Sequence, residues 1–428
     1  MKGIFYLTFN GIFNNTNGVG TQTKVLLEGF DYFYDKFTEK YGDVCLNLVT
    51  PRYEKDYPSY CEEDYSFAKA KMERWRGEIF FCKMSERTNN FWTTEYWHSL
   101  CAEAADIIKR EASKYEEVVV ICIDMPFLHT PIYFEKLNPE VTNVKWLLTF
   151  YSSSYIHDKD LISDKRLAWE YVGISASRFS ENIYLADVCD FMKSHLIEYY
   201  GAPQDKFISY ESSLFLQSKD FSYFSEDEIK AIMQSYNIPQ DKDILLSFGR
   251  AVWIKGFDIL LKSLPQSKKD FHLVMILVSP PGEISTYKEC LDMAKNIKQS
   301  FTLIPNFSRI LPKALCQWPR TKVVVCPSRG EPFSNIPLET GIWAKEKGPI
   351  VLASNIDGYL EQVKDGDNGF LFECDSSLNL AQKIDHVFSL SDKTISKMRK
   401  NAYKKVMLER DFFKNFEKTL DQVWTKKK

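Results

Sequence analysis

The chain has 428 residues, beyond the size at which a single hydrophobic core stops growing, so two domains are expected. With 44% hydrophobic and 15% aromatic residues it carries enough apolar material for packed cores, which excludes a disordered chain. A net charge of −3, from 55 basic and 58 acidic residues, gives no global field that would select nucleic acid as a partner, and it leaves peripheral contact with a membrane open without supporting it.

Residues 118–123 and 350–353 are the longest apolar stretches, and both are of strand length rather than the roughly 20 residues of a membrane helix. The opening MKGIFYLTF lacks a full apolar core and a small-residue cleavage site, so no secretory leader is expected and the location reads as cytoplasmic. The ten cysteines are scattered singly, without a C-x-x-C pair or histidines at zinc-finger spacing, and read as reduced, buried thiols.

In chain order, strand-like runs at residues 3–8, 44–49, 118–124, 145–150, 243–248, 272–278, 322–326 and 350–354 alternate with amphipathic segments. That alternation predicts an α/β protein with parallel sheets covered on both faces. It breaks at residues 207–224, where the interdomain connection is placed. Residues 226–236 and 394–428 read as helical, the latter ending in a solvated TKKK. Residues 51–90 form an aromatic and charged insertion, readable either as a loop shaping a ligand site or as a surface excursion.

Three loops carry chemistry. Gly18-Val19-Gly20-Thr21-Gln22 follows the first strand and opens a helical run, where glycines and a helix N-terminus suit a phosphate. The spacing lacks the full G-x-G-x-x-G of a dinucleotide oxidoreductase. Next, Arg250 and Lys255 sit five residues apart after the strand ending at 248, flanked by Gly249 and Gly256; they can converge on one diphosphate, arginine as a fork and lysine as a point charge. Finally, Pro327 to Glu339 sets Glu331 on a loop to meet sugar hydroxyls and Glu339 in a first helical turn to meet a ribose. The amides of Phe333, Ser334 and Asn335 between them suit phosphate oxygens.

The segment from Glu331 to Glu339 resembles the E-x7-E motif of retaining glycosyltransferase family 4. The neighbouring pieces fall in that family's order: G-R-x4-K-G at residues 249–256, then 350–354 with 357–363, then Asp365-Gly366-Asp367-Asn368-Gly369-Phe370-Leu371. The C-terminal half is covered well; the N-terminal half is covered thinly, through residues 18–22 and 169–201.

The resemblance implies a GT-B fold, two Rossmann-like domains facing each other across a central cleft. Residues 1–208 would be the acceptor domain and 209–405 the nucleotide-sugar domain, with 406–428 a helix packing back toward the first. Arg250 and Lys255 would hold the diphosphate, Glu331 the donor sugar and Glu339 the ribose. Gly18, Gly20, Phe333, Ser334 and Asn335 would complete the donor site. The implied activity is hexosyl transfer with retention, from a UDP-sugar on frequency within the family, to a glycan, lipid-linked sugar, protein or small aglycone. No metal and no cofactor are expected.

Two positions depart from the family pattern. Tyr151 stands where many members carry a histidine after the strand at 145–150, which puts the usual contact with the donor sugar in question; His157 is its candidate replacement, and Asp124 joins these two as an acceptor or sugar contact. The family's Asn-Gly after the interdomain strand is replaced by Glu211-Ser212-Ser213. Two other readings remain open on sequence. A metal-dependent GT-A enzyme would use a D-x-D triplet at 158–160, 241–243 or 365–367; a non-catalytic sugar-nucleotide-binding or scaffolding protein would keep only the fold.

Overall fold

The computed structural model describes residues 1–14, 17–55, 60–83, 92–158, 162–280 and 283–424. The TKKK tail, part of the 51–90 insertion and two residues of the triplet at 158–160 lie outside them.

The chain forms two compact units, residues 1–215 with 410–428, and residues 216–409. In the first unit, Lys2–Leu7 (β1), Val44–Pro51 (β2), Ile79–Cys82 (β3), Glu117–Ile123 (β4), Val144–Thr149 (β5), Ile183–Asp187 (β6) and Phe207–Ser209 (β7) form one parallel sheet. Its order is β3-β2-β1-β4-β5-β6-β7. In the second, Ile244–Arg250 (β8), His272–Val278 (β9), Ser300–Ile304 (β10), Thr321–Cys326 (β11), Ile350–Ser354 (β12) and Gly369–Phe372 (β13) follow the order β10-β9-β8-β11-β12-β13, again all parallel. The expectation of an α/β protein with covered parallel sheets holds.

The central strands are apolar on both faces because helices cover both. In β8 and β11, Leu245, Val323 and Val325 join one core layer while Ile244, Leu246 and Val324 join the other, following the two-residue period of a strand. Five strands went unassigned in the sequence reading: β3, β6, β7, β10 and β13. Of these, β3, β7, β10 and β13 are sheet edges and have three to five residues each.

The C-terminal helical run is two helices, Asp392–Glu409 and Phe412–Trp424, broken at Arg410 and Asp411. The second belongs to the first unit, where Phe412 lies against Gly29 of helix Gly18–Tyr32; a Cβ at Gly29 would stand 2.3 Å from its ring. It also covers the edge strand β7: Thr419 donates to the Ser209 carbonyl at 2.6 Å and the Ser209 amide donates to Gln422 at 2.8 Å. Both satisfy backbone groups that an edge would leave open.

Candidate functional site

In each sheet the strand order reverses between two adjacent strands, β1 and β4 in the first unit, β8 and β11 in the second. Ligands of open α/β sheets bind outside the carboxyl ends of the strands at such a reversal. Arg250 is the last residue of β8; Gly18, Gly20, Asp124, Tyr151, His157, Lys255, Glu331, Phe333, Ser334, Asn335 and Glu339 lie on segments following β1, β4, β5, β8 or β11.

In the second unit β8 runs on past the expected end at 248, so Arg250 is its last residue; the loop after it carries Lys255, and the loop after β11 carries Glu331. Arg250 is exposed, whereas Lys255 and Glu331 form an ion pair between their side chains. Glu331 is buried, and its Oε2 also accepts from the phenol of Tyr359 at 3.5 Å. Its backbone is fixed too: the Glu331 amide donates to Asp357 at 3.0 Å, and the Gly358 amide donates to the Glu331 carbonyl at 3.0 Å. Asp357 holds this contact with a φ of 45°, a region that side-chain-bearing residues rarely adopt.

The two loops touch so closely at Gly256 that a Cβ there would lie 1.9 Å from the Pro327 carbonyl oxygen, and its φ of 63° independently requires glycine. Arg329 locks the same junction. Its amide donates to the Ile254 carbonyl at 2.7 Å, its Nη1 to the Trp253 carbonyl at 3.0 Å, and its guanidinium forms a fork on Asp258 with both bonds at 2.8 Å. Nε reaches Asp375 at 2.7 Å, and the group lies 4.7 Å from the Trp253 ring centroid. Burial would raise the Asp258 carboxyl, but Arg329 and Lys262 outweigh it and bring its pKa down to about 2.

Helix Asn335–Trp343 starts directly after this loop, capped by Ser334, whose side chain accepts from the Ile336 amide. Gln362 clamps the cap: its Nε2 donates to the Ser334 carbonyl at 2.6 Å and its Oε1 accepts from the Ser334 amide at 3.3 Å. Of the three amides assigned to phosphate, that of Ser334 is therefore engaged within the protein. Phe333 and Asn335 are half-buried. Glu339 lies in the second helical turn rather than the first, because the helix begins at Asn335 and not at Pro337. Four residues on from Asn335, it shares that residue's face and leans toward the helix N-terminus.

In the first unit Gly18 and Gly20 lie in the first turn of helix Gly18–Tyr32. The amide of Gly20 is taken by the side chain of the capping Asn17 at 2.9 Å, whereas Gly18 is exposed. At the end of β4, Asp124 has φ 61° and ψ −172°, a combination close to exclusive to glycine. Its carboxylate accepts from the amides of Tyr151 and Ser152 at 3.2 Å each and from the Ser152 hydroxyl. Burial raises its pKa against these donors.

Ser154 is held similarly, its amide bonded to both oxygens of fully buried Glu170, which also takes Arg166 and the phenol of Tyr200. Between them Ser153 bonds His195 Nε2 at 2.9 Å; burial lowers the His195 pKa to about 4. Tyr151 is partly exposed, with its phenol pKa raised by burial. His157 is half-buried, with Nδ1 3.3 Å from the Ser153 carbonyl.

Asp243 pairs with Arg320, Asp365 with Lys383 and the Leu371 amide, and Asp367 with Asn401. No group of three or more potential metal-ligating side chains occurs among the described residues, and no helix there is long and apolar enough to cross a membrane. Arg329, Asp357, Tyr359 and Gln362 were given no role from sequence. Their only signal was proximity to the E-x7-E segment or to the 357–363 stretch that accompanies it.

Two fully parallel sheets of seven and six strands, flanked by helices and each reversing its strand order once, define the GT-B fold. Residues 228–405 match the sequence family Glycosyl transferases group 1. Sucrose-phosphate synthase from Thermosynechococcus elongatus is similar with a TM-score of 0.74 at 16% identity, over 100% of both chains. Anabaena HepE, whose structure is a complex with UDP and glucose, gives 0.72 at 15% identity over 99% of both. An uncharacterized glycosyltransferase of Methanocaldococcus jannaschii is 22% identical over 228 residues, 53% of this chain and 56% of that protein. The chain thus spans little more than half of that relative's length.

Proposed function

We propose that the protein is a retaining, metal-independent glycosyltransferase of the family 4 type, transferring a hexosyl group from a nucleoside-diphosphate sugar to an acceptor hydroxyl. The observation that carries the reading is the pairing of Lys255 with Glu331 at the sheet reversal of the second unit, with Arg250 at the end of the strand that leads into the lysine's loop. A UDP-sugar is the proposed donor; the UDP and glucose in the HepE structure support it.

The donor diphosphate lies against Arg250 and Lys255, and its sugar hydroxyls donate to Glu331. The ribose hydroxyls donate to Glu339. As the bond from the anomeric carbon to the phosphate oxygen breaks, charge grows on the leaving diphosphate, and cations fixed in advance stabilise it without reorganisation. The acceptor oxygen bonds the anomeric carbon on the same face, and its proton passes to the leaving phosphate. No separate base is required. Asp124, with its carboxylate bound to the amides of residues 151 and 152, shapes the loop that presents Tyr151 and, further on, His157.

Incubation with UDP-hexoses in EDTA, following UDP release and the anomeric proton of the product by NMR, tests this. Release of UDP with an α-linked product from an α-linked donor supports the reading; inversion, or a requirement for divalent metal, contradicts it. The second reading, a non-catalytic sugar-nucleotide-binding or scaffolding protein, is favoured by Tyr151 standing in place of the family's histidine, and predicts donor binding without turnover.

A further inference from the structure

We propose that the solvent face of helix Asp392–Glu409 is a docking surface for an anionic phospholipid bilayer. The helix has 18 residues and buries Ile395, Met398 and Val406 in the second unit. At 100° per residue, Lys393, Lys397, Lys400 and Lys404 fall on one narrow stripe opposite that buried face, and all four are exposed. Met407 and Leu408, 38% and 58% exposed, continue the same stripe at its C-terminal end.

On several helices, this one included, a lysine is compensated by a carboxylate of its own helix. Lys24, Lys230, Lys262 and Lys405 each pair with a carboxylate four residues away on their own helix. Lys393, Lys397, Lys400 and Lys404 make no ion pair among the described residues. The helix's carboxylates stand outside the stripe: Asp392 at its first position, and Glu409 at its last, where it pairs with Lys405. Beside it, Asp367 is engaged by Asn401. Lysines three and four positions apart repel one another, so an uncompensated row of four is held against a local cost in the free protein.

An opposing surface of negative charge relieves that cost. The row from Lys393 to Leu408 is about 22 Å long, at 1.5 Å per residue. Two exposed apolar side chains at its end select a lipid surface over a purely polar polyanion, because they gain only where there is an apolar layer to enter beneath the headgroups. A lysine near an anionic bilayer strengthens partition about fivefold.

The test is co-sedimentation of the full chain with phosphatidylcholine vesicles, with and without about one third phosphatidylglycerol. The expected result is binding to the anionic vesicles alone, weakened by salt. Lys397→Gln with Lys400→Gln should lower partition roughly twentyfold or more. Leu408→Ser, which leaves every lysine in place, should lower it severalfold, with thermal melting of both variants unchanged. Equal binding to neutral vesicles, no vesicle binding at all, or binding to soluble heparin or polyglutamate that Leu408→Ser leaves unaltered would each overturn the proposal. None of these outcomes depends on turnover of a sugar nucleotide.

Discussion

Lys255 and Glu331 come from loops 76 residues apart, and their side chains meet as an ion pair at the carboxyl ends of β8 and β11. Glu331 is buried and Lys255 mostly so; each compensates the other's charge, and the exposed Arg250 adds a cation at the end of β8. Replacing Lys255 by alanine leaves the carboxylate unpaired in a buried position. We expect Lys255→Ala to weaken nucleoside-diphosphate binding about ten- to a hundredfold, the worth of one charged hydrogen bond. Titration calorimetry with UDP checks it. An affinity equal to that of the parent would separate Lys255 from the diphosphate.

Arg329 should be revealed by what lysine cannot replace. Its fork on Asp258 and its bonds to the Trp253 carbonyl and Asp375 need a planar group with several fixed donors. Arg329→Lys is therefore expected to lower stability by about 2 kcal/mol, as for a damaged partly buried pair, and also to weaken UDP binding by moving the Lys255 loop. Urea melts and calorimetry on the same variant separate the two effects. Loss of stability with unchanged affinity would confine Arg329 to folding.

Gly256 offers a steric version of the same argument. A Cβ 1.9 Å from the Pro327 oxygen must push the two loops apart, at a φ of 63° that alanine tolerates poorly. Gly256→Ala should destabilise the protein by about 2 kcal/mol or more and abolish measurable UDP binding. Wild-type affinity in this variant would contradict the assignment of the junction.

Asp124 combines strain with service, which two substitutions can separate. Asp124→Ala keeps the unfavourable backbone and strips the acceptor from the amides of Tyr151 and Ser152; Asp124→Gly strips the acceptor but relieves the backbone. Both should destabilise, with the alanine variant worse by about 1–3 kcal/mol, the cost of such a conformation. Equal stability of the two in urea melts would remove strain from the account.

Buried imidazoles set the acid limit. His129, His195 and His272 have their pKa values lowered by burial from 6.5 to about 4. Between pH 6.5 and 4 the unfolded chain binds these protons and the folded chain does not. The stability they contribute is complete above pH 6.5 and is lost as the pH falls toward 4. Asp124 and Glu170, raised by burial, act in the opposite sense at low pH. The clean comparison is therefore His195→Gln against the parent. Its melting temperature should fall less between pH 7 and pH 5; an identical fall would exclude His195 as a contributor.

Fold class was readable from sequence because the central strands of parallel sheets are apolar on both faces. Residues 118–123 and 350–353 stand out in any reading, and both became interior strands. The edge strands did not, because β7 is three residues long and β3 and β13 four, too short for a period to register. Positions 410 and 411 look like a continuing helix by period, yet Arg410 ends one helix, and its carbonyl accepts from the Leu214 amide at 2.8 Å. In the site, charge and spacing pointed to Arg250, Lys255, Glu331 and Glu339. The groups that hold Glu331 and Ser334 in place, Asp357, Tyr359 and Gln362, were not legible, since their effect comes from contacts between loops 26 to 28 residues apart. Gly20 illustrates the converse. Its position after β1 suits a phosphate, but Asn17 occupies its amide.

The most direct test of the central claim is calorimetric titration of UDP into the protein in EDTA, alongside Arg250→Ala and Glu339→Ala. The account predicts saturable, metal-independent binding by the parent, weakened at least about tenfold in each variant. Absence of binding by the parent, or affinity untouched by either substitution, would contradict a nucleotide-sugar site at the carboxyl ends of β8 and β11.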